Sequence, residues 1–408
     1  MSIFAPRGFA STASTRWCAA ACLLAVLPAL RVLAVAQTPA ASNAQAQVTA
    51  QATAQTRAQA TSGASSLSDK DVDAFRTFCR SKAKAAEKAY SISVEGRNGW
   101  LFSAPELRHI AAGKFWGEAA ARVSQSPLAA NADPLPAIVD FKRQLDRAGI
   151  ELLLVPVPPK GIVYPDMLWD KATARSVVPR FDVAHQLFYG ELKKNDIPVL
   201  DLTDELTSRR FDAQGTTYCK QDTHWSGRAT VLAARSIAAT LADREWLRSR
   251  PKRTYAQQWQ RMRIAGDLWP GVESDIAQET LPLRFVGTPA KAKTAASTRP
   301  ANATLQPLTT DRNSPVLLLG DSHTLVFHEG GDMHARGAGL PDQLALELGF
   351  PVDLIGVRGS GATPARTTLM RRARANPNYL KGKKLVIWCF SAREFTESSG
   401  WQKVPVVS

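Results

Sequence analysis

The sequence predicts an α/β protein built on a mostly parallel β-sheet with helices on both faces. Two observations carry this. The runs ELLLVPV (151–157), PVLLLG (315–320), VDLIG (352–356) and KLVIWCF (384–390) are continuously apolar rather than alternating, as in strands buried on both sides. Between them lie segments of helical period, so strand and helix alternate along the chain.

Each element has a local reason. Ile138, Phe141, Leu145 and Ala148 recur at helical spacing, and Gly149 stops that helix before the first strand. FDVAHQLFYGELKKNDI (181–197) is amphipathic, and PVLDL (198–202) is expected as the next strand. A helix is expected from Ser226 to about Leu241. Pro364 opens another, because its ring fixes φ and the first turn leaves that amide unpaired anyway. Residues 250–312 fit the alternation poorly. They hold GDLWPG (266–271) and TPAKAKTAASTRPANATLQP (288–307), and are expected to form a surface insertion.

The N-terminus is read separately. Residues 1–36 carry Arg7 and Arg16, then an apolar run from about Trp17, then Ala34-Val35-Ala36, the pattern of a cleaved signal peptide. Arg31 interrupts the run, and a retained N-terminal anchor is the alternative. No other stretch approaches the ~20 apolar residues of a membrane span. Residues 37–66, rich in Ala, Gln, Thr and Ser, have no hydrophobic period and are expected to be a tether. Residues 67–408 are then one domain, with the periplasm as its expected location.

Formal net charge is +15, and losing residues 1–36 removes three arginines and no acid, leaving +12. Such a balance means either a well-solvated basic surface or a polyanionic partner, and export argues against nucleic acid. Of five cysteines, Cys18 and Cys22 leave with the signal, and Cys389 lies in an apolar strand as a buried thiol. Cys79 and Cys219 remain as the candidate bridge for an oxidising compartment.

Chemistry in an α/β fold sits at the carboxyl ends of the strands. PVLLLG ends in Gly320-Asp321-Ser322-His323, which places Ser322 on the turn beyond a buried strand. This is not a G-x-S-x-G elbow, because Thr324 stands where the second glycine belongs. Helix capping by Asp321 and Ser322 is the competing reading. The stretch CKQDTHWSG (219–227) supplies an Asp-x-His pair. Asp222 could accept the Nδ1 proton of His224, leaving the other ring nitrogen to take a serine proton. A metal would need more ligands. The six histidines, His109, His185, His224, His323, His328 and His334, show neither H-x-x-x-H nor H-E-x-x-H spacing, so neither metal nor cofactor is expected.

GDS with an Asp/His pair resembles the SGNH, or GDSL-like, hydrolases, whose fold is a flavodoxin-like α/β/α sandwich. Their usual order puts Asp and His after the serine. Here DTHW precedes it, and that permuted order resembles the alginate O-acetyltransferase branch, exported proteins that acetylate bacterial polysaccharides. GRNGWLFSAPELRH (96–109) and IVDFKRQLDRAGIELLLVPVPPKGIVYPDML (138–168) resemble that branch too, within a likeness running from about residue 75 to 395.

The resemblance implies Ser322 as nucleophile, His224 as base and Asp222 as its orienting partner. It also requires an oxyanion hole. No G-x-N-D is present, so Arg358 and Gly359 in GVRGSGAT (356–363) are the candidates for oxyanion or substrate contact, against Arg358 as a loop arginine on a surface carboxylate. No C-terminal carbohydrate-binding β-domain is expected after the last strand. The implied activity is acetyl transfer to an exopolysaccharide through an acetyl-serine. The alternatives are a polysaccharide acetylesterase and a non-catalytic polysaccharide-binding subunit of a secretion complex. Implied partners are an anionic polysaccharide, a membrane-bound O-acyltransferase that supplies acetyl groups, and other secretion proteins.

Overall fold

The computed structural model describes residues 67–173, 177–271, 276–289 and 305–407. The expected signal peptide and tether lie outside the described residues, as do 272–275 and 290–304 of the expected insertion.

Ser68 opens α1 (Asp69–Lys88) with a capping box shared with Asp71. A hairpin, β1 (Ser93–Glu95) and β2 (Leu101–Ser103), leads into α2 (Ala104–Ala112). Next come α3 (Pro134–Arg147), β3 (Glu151–Val157), α4 (Val183–Lys194) and α5 (Gly227–Leu241). Three antiparallel strands follow, β4 (Ala256–Arg263), β5 (Thr280–Pro289) and β6 (Leu305–Pro307). The chain closes with β7 (Val316–Gly320), α6 (Leu340–Leu348), β8 (Asp353–Gly356), α7 (Thr363–Ala375) and β9 (Leu385–Ser391).

The main sheet runs β8-β7-β9-β3, with every neighbouring pair parallel. Its side chains alternate between two cores. Leu153, Val155, Leu318, Ile387 and Cys389 face one, with α1, α2 and α5 packed over them. Leu152, Leu154, Leu317, Leu319 and Trp388 face the other, under α3, α4 and α7. The α/β/α sandwich expected from the sequence is the fold, and β7 lies between β8 and β9, with Ser322 just past its carboxyl end.

Residues 198–202 do not form the expected strand. Val199 makes a single parallel bridge to Leu154. Pro198 has no N–H to give a ladder, and Asp201 turns away to Arg180 at 2.6 Å and to the Thr203 amide at 2.9 Å, which starts a short helix. The described part of 250–312 is an ordered antiparallel sheet whose Leu281 and Leu283 join the core beneath α5. Among the described residues no helix is long and apolar enough to cross a membrane.

Candidate active site

Two loops meet at the carboxyl end of β7. One is the serine turn, where Asp321 caps a short 3-10 segment, Ser322–Thr324, by accepting the His323 amide. The other is Lys220–Trp225, fixed at its far end because Ser226 caps α5 through the amides of Arg228 and Ala229. Their approach places His224 Nε2 2.7 Å from Ser322 Oγ, across 98 residues of sequence. His224 Nδ1 lies 2.6 Å from Asp222 Oδ1, which also accepts the His224 amide at 2.9 Å. All three residues are buried. The Nδ1 contact to a carboxylate makes Nδ1 the protonated nitrogen and leaves Nε2 to accept the serine proton.

The charges support that assignment. Burial alone would lower the pKa of His224 and raise that of Asp222. The Asp222 carboxylate, helped by Asp267 and Asp321, overrides burial and lifts His224 above its ordinary value. Asp222 in turn is held well below the ordinary carboxylate range by His224 and His334. The carboxylate is therefore ionised and its imidazole is a strengthened base.

Supporting contacts come from segments distant in sequence from both the DTHW and the GDS stretches. Asp222 Oδ2 accepts the Asp267 amide at 3.0 Å and faces His334 Nε2 at 2.9 Å. The Asp267 carboxylate takes the amide and hydroxyl of Thr223 at 2.7 and 2.6 Å. The backbone packs so closely here that a Cβ on Gly266 would stand 2.0 Å from the Gln221 carbonyl oxygen, so only glycine fits. On the other side Lys160, 1% exposed, donates its ammonium to the carbonyls of Leu101, Asp222 and Lys220 at 2.8, 2.6 and 3.4 Å. A lysine in the apolar run VPVPPKGIVY was the one available hint of this clamp. The Trp225 indole donates to the His323 carbonyl at 3.0 Å and joins the two loops.

Three expectations are corrected. Arg358 does not reach the serine turn; its half-exposed guanidinium pairs with Asp332 at 2.5 Å and Glu329 at 3.0 Å, where solvated carboxylates offer a better partner than a buried turn. Gly359 points into open space, while Gly361 lies against the site, since a Cβ there would stand 3.0 Å from the Asp321 nitrogen. Cys79 and Cys219 are free, buried thiols. Cys79 packs on the inner face of α1, and Cys219 turns its sulfur to the Trp225 carbonyl at 3.5 Å within its own loop.

Asp222, His224 and Asp267 bring possible ligand atoms within 4.8 Å of one another. Those atoms are already committed to the His224–Asp222 pair and to Thr223. Other histidines pair elsewhere, His109 with His185 at 2.7 Å and His328 with Asp342 at 2.9 Å.

Residues 94–392 match the family described as SGNH hydrolase-like domain, acetyltransferase AlgX. A probable alginate O-acetylase AlgJ of Pseudomonas syringae pv. tomato is 26% identical over 175 residues, 43% of this chain and 40% of that protein. The chain spans about half the length, or less, of the curated relatives it matches. The O-acetyltransferase domain of Pseudomonas putida AlgJ superposes with a TM-score of 0.51 at 20% identity, covering 74% of this chain and 92% of that one. Pseudomonas aeruginosa AlgX gives 0.52 at 15% identity, covering 78% and 66%. These two likenesses establish a shared fold. With the family match running through both the Asp222–His224 loop and the Ser322 turn, the chain belongs to the SGNH hydrolase-like domain family of the acetyltransferase AlgX.

Proposed function

We propose that this protein is an exported O-acetyltransferase that places acetyl groups on hydroxyls of an anionic, alginate-like exopolysaccharide. The observation that carries the reading is the continuous hydrogen-bonded chain from Ser322 Oγ through His224 to Asp222. In the first half-reaction His224 Nε2 takes the Ser322 proton as Oγ attacks the acetyl carbonyl carbon. The oxyanion calls for N–H donors, and the Ser322 and Gly361 amides are the candidates, since Gly361 packs against the serine turn. Collapse expels the donor's leaving group with the proton from His224 and leaves an acetyl-serine. In the second half-reaction a sugar hydroxyl gives its proton to His224 and attacks the acetyl carbon. Ser322 departs and recovers the proton. Asp222 holds the ring and stabilises the transient imidazolium throughout.

The names of the AlgJ relatives and the basic net charge support a polyanionic polysaccharide as acceptor. A membrane-bound O-acyltransferase supplying acetyl groups, and other secretion proteins, are the partners this role calls for, in the periplasm. The test is mass spectrometry of the protein with a chromogenic acetyl ester, with and without oligosaccharides of several charge types. The expected results are an acetyl adduct on Ser322 and an added acetyl mass on an acidic oligosaccharide. Release of acetate with no acetylated sugar would overturn transfer in favour of ester hydrolysis. Because His224 is raised above 6.5, its base form is lost as pH falls, so kcat/KM should drop along an acid limb centred above pH 6.5.

A further inference from the structure

Asp222 serves two imidazoles rather than one. Its Oδ1 holds His224, while its Oδ2 faces Nε2 of His334, from 112 residues downstream, at 2.9 Å. His334 is bound to that position by an uncommon backbone. Its φ of 69° and ψ of −60° make it the centre of a γ-turn closed by the Ala335 amide on the Met333 carbonyl at 2.9 Å. This conformation is strained for a residue with a Cβ. Neighbouring bonds over-determine it: Phe327 N–H to the Met333 carbonyl and Gly330 N–H to the Ala335 carbonyl, both at 2.8 Å, and Ala338 N–H to the Phe327 carbonyl at 2.9 Å. The ring rests against Phe327, with centroids 5.8 Å apart. A fold that needed only a tight turn here would be served better by glycine. The strained position holds a histidine, and among the described residues the polar contact its ring makes is to the carboxylate of the site.

We propose that His334 is a positioning residue of the reaction described above, donating Nε2–H to Asp222 Oδ2 so that Oδ1 stays aligned with His224 Nδ1. The inference rests on the Ser322–His224–Asp222 reading. The other groups around this contact are few. The Asp267 amide shares Oδ2, and the Asp267 carboxylate is occupied by Thr223. Asp321 bears on His224 from the serine turn. On the loop of His334 itself, Asp332 is paired with Arg358, and Arg336 donates to the Glu329 carbonyl. Among the described residues one backbone amide is the other tether on Oδ2, so that side of Asp222 depends on His334 for orientation. The donated hydrogen bond also disperses carboxylate charge. Without it more of that charge bears on the His224 imidazolium, which then holds its proton to higher pH.

The experiment compares wild type with His334→Gly and His334→Gln. Glycine relieves the γ-turn and removes the donor. Glutamine brings an amide N–H to nearly the place of Nε2 without the imidazole ring. The readouts are melting temperature, steady-state kinetics on a chromogenic acetyl ester across pH, and the rate at which a fluorophosphonate labels Ser322. In that labelling Oγ bonds to phosphorus, fluoride leaves and the serine proton passes to His224.

For His334→Gly the expectation is an unchanged or higher melting temperature and a kcat lower by about ten- to hundredfold, the cost of a misplaced group. KM should stay near the wild-type value, and the acid limb should move to higher pH. His334→Gln should recover most of the rate. Wild-type labelling rates in both variants, or a loss in His334→Gly that follows its melting temperature and is not recovered by glutamine, would overturn the proposal. If wild-type Ser322 itself takes no label while the protein is folded, the reading of the site fails, and this inference fails with it.

Discussion

The motif Asp-x-His occurs twice in this site, as Asp222-Thr223-His224 and as Asp321-Ser322-His323, and the copies do different things. Their local geometry is nearly the same. In each, Oδ1 accepts the histidine amide at 2.9 Å and faces the ring Nδ1, at 2.6 Å in the first and 3.2 Å in the second. The two rings are 4.9 Å apart, and both are buried. What separates the copies is the second oxygen and the second nitrogen. Asp222 Oδ2 is bound by Asp267 and His334, and His224 Nε2 meets the serine hydroxyl. Asp321 Oδ2 instead accepts the Ser391 amide at 2.7 Å, which ties the serine turn to β9. Burial lowers the pKa of His323, and neighbouring His224 adds to this, whereas His224 is raised. Spacing two residues apart therefore fixes a ring against a carboxylate and no more. Whether the ring becomes a base or a brace is decided by distant chain.

The sharpest way to break this contrast is to delete each ring. His224→Ala should cost about 10⁶-fold in Ser322 acylation, the scale seen when a serine protease loses its base. His323→Ala should cost less than about tenfold, because its ring touches no reacting atom. Equal losses by the fluorophosphonate rate would show that the two rings act as one unit. The carboxylates come next. Asp222→Asn should fold normally and lose about 10⁴-fold in kcat, since an amide favours the wrong imidazole tautomer; that magnitude is the one known for the serine-protease triad. Asp321→Asn should chiefly cost stability, about 1–3 kcal/mol by denaturant melts, because the Ser391 amide loses a charged acceptor. An Asp222→Asn variant with near-normal turnover would remove Asp222 from the proposed mechanism.

The smallest effect sharpens the Asp321 side. Glu394, buried and accepting from the Ser360 hydroxyl at 2.7 Å, has its pKa raised from 4.5 to about 7 by burial and by the charge on Asp321. A carboxyl raised on folding contributes stability below its unfolded pKa and loses it as pH rises through the folded one. Wild type should therefore weaken between about pH 4.5 and 7, by at most about 3.5 kcal/mol at roughly 1.4 kcal/mol per unit. Glu394→Gln should flatten that dependence. Parallel stability curves for the two proteins would show that Glu394 does not titrate in this range.

The sheet was legible in the sequence because its strands are buried on both faces and advertise themselves as apolar runs. Ser322 was legible because such a run stops at GDS, and DTHW because its two groups lie within one turn of chain. The edge position at 198–202 misled, since PVLDL has strand composition while Pro198 and Asp201 break the ladder. The clamps were nearly silent, Lys160 in its apolar run excepted, for a different reason. His334, Asp267 and Lys160 reach Asp222 from 112, 45 and 62 residues away, and nothing local in a single sequence marks such meetings. Arg358 misled because a guanidinium beside a strand end suits an oxyanion and a surface carboxylate equally well.

Lys160 bears on when the site comes into being. Its ammonium is out of water and gathers carbonyls from residues 101, 220 and 222, so it cannot be buried before the hairpin and the histidine loop have both arrived. The Ser322–His224 contact closes a still longer loop of 98 residues. The nucleophile therefore exists only where both loops are seated. In a chain that has not brought them together, position 322 carries an ordinary, unreactive alcohol.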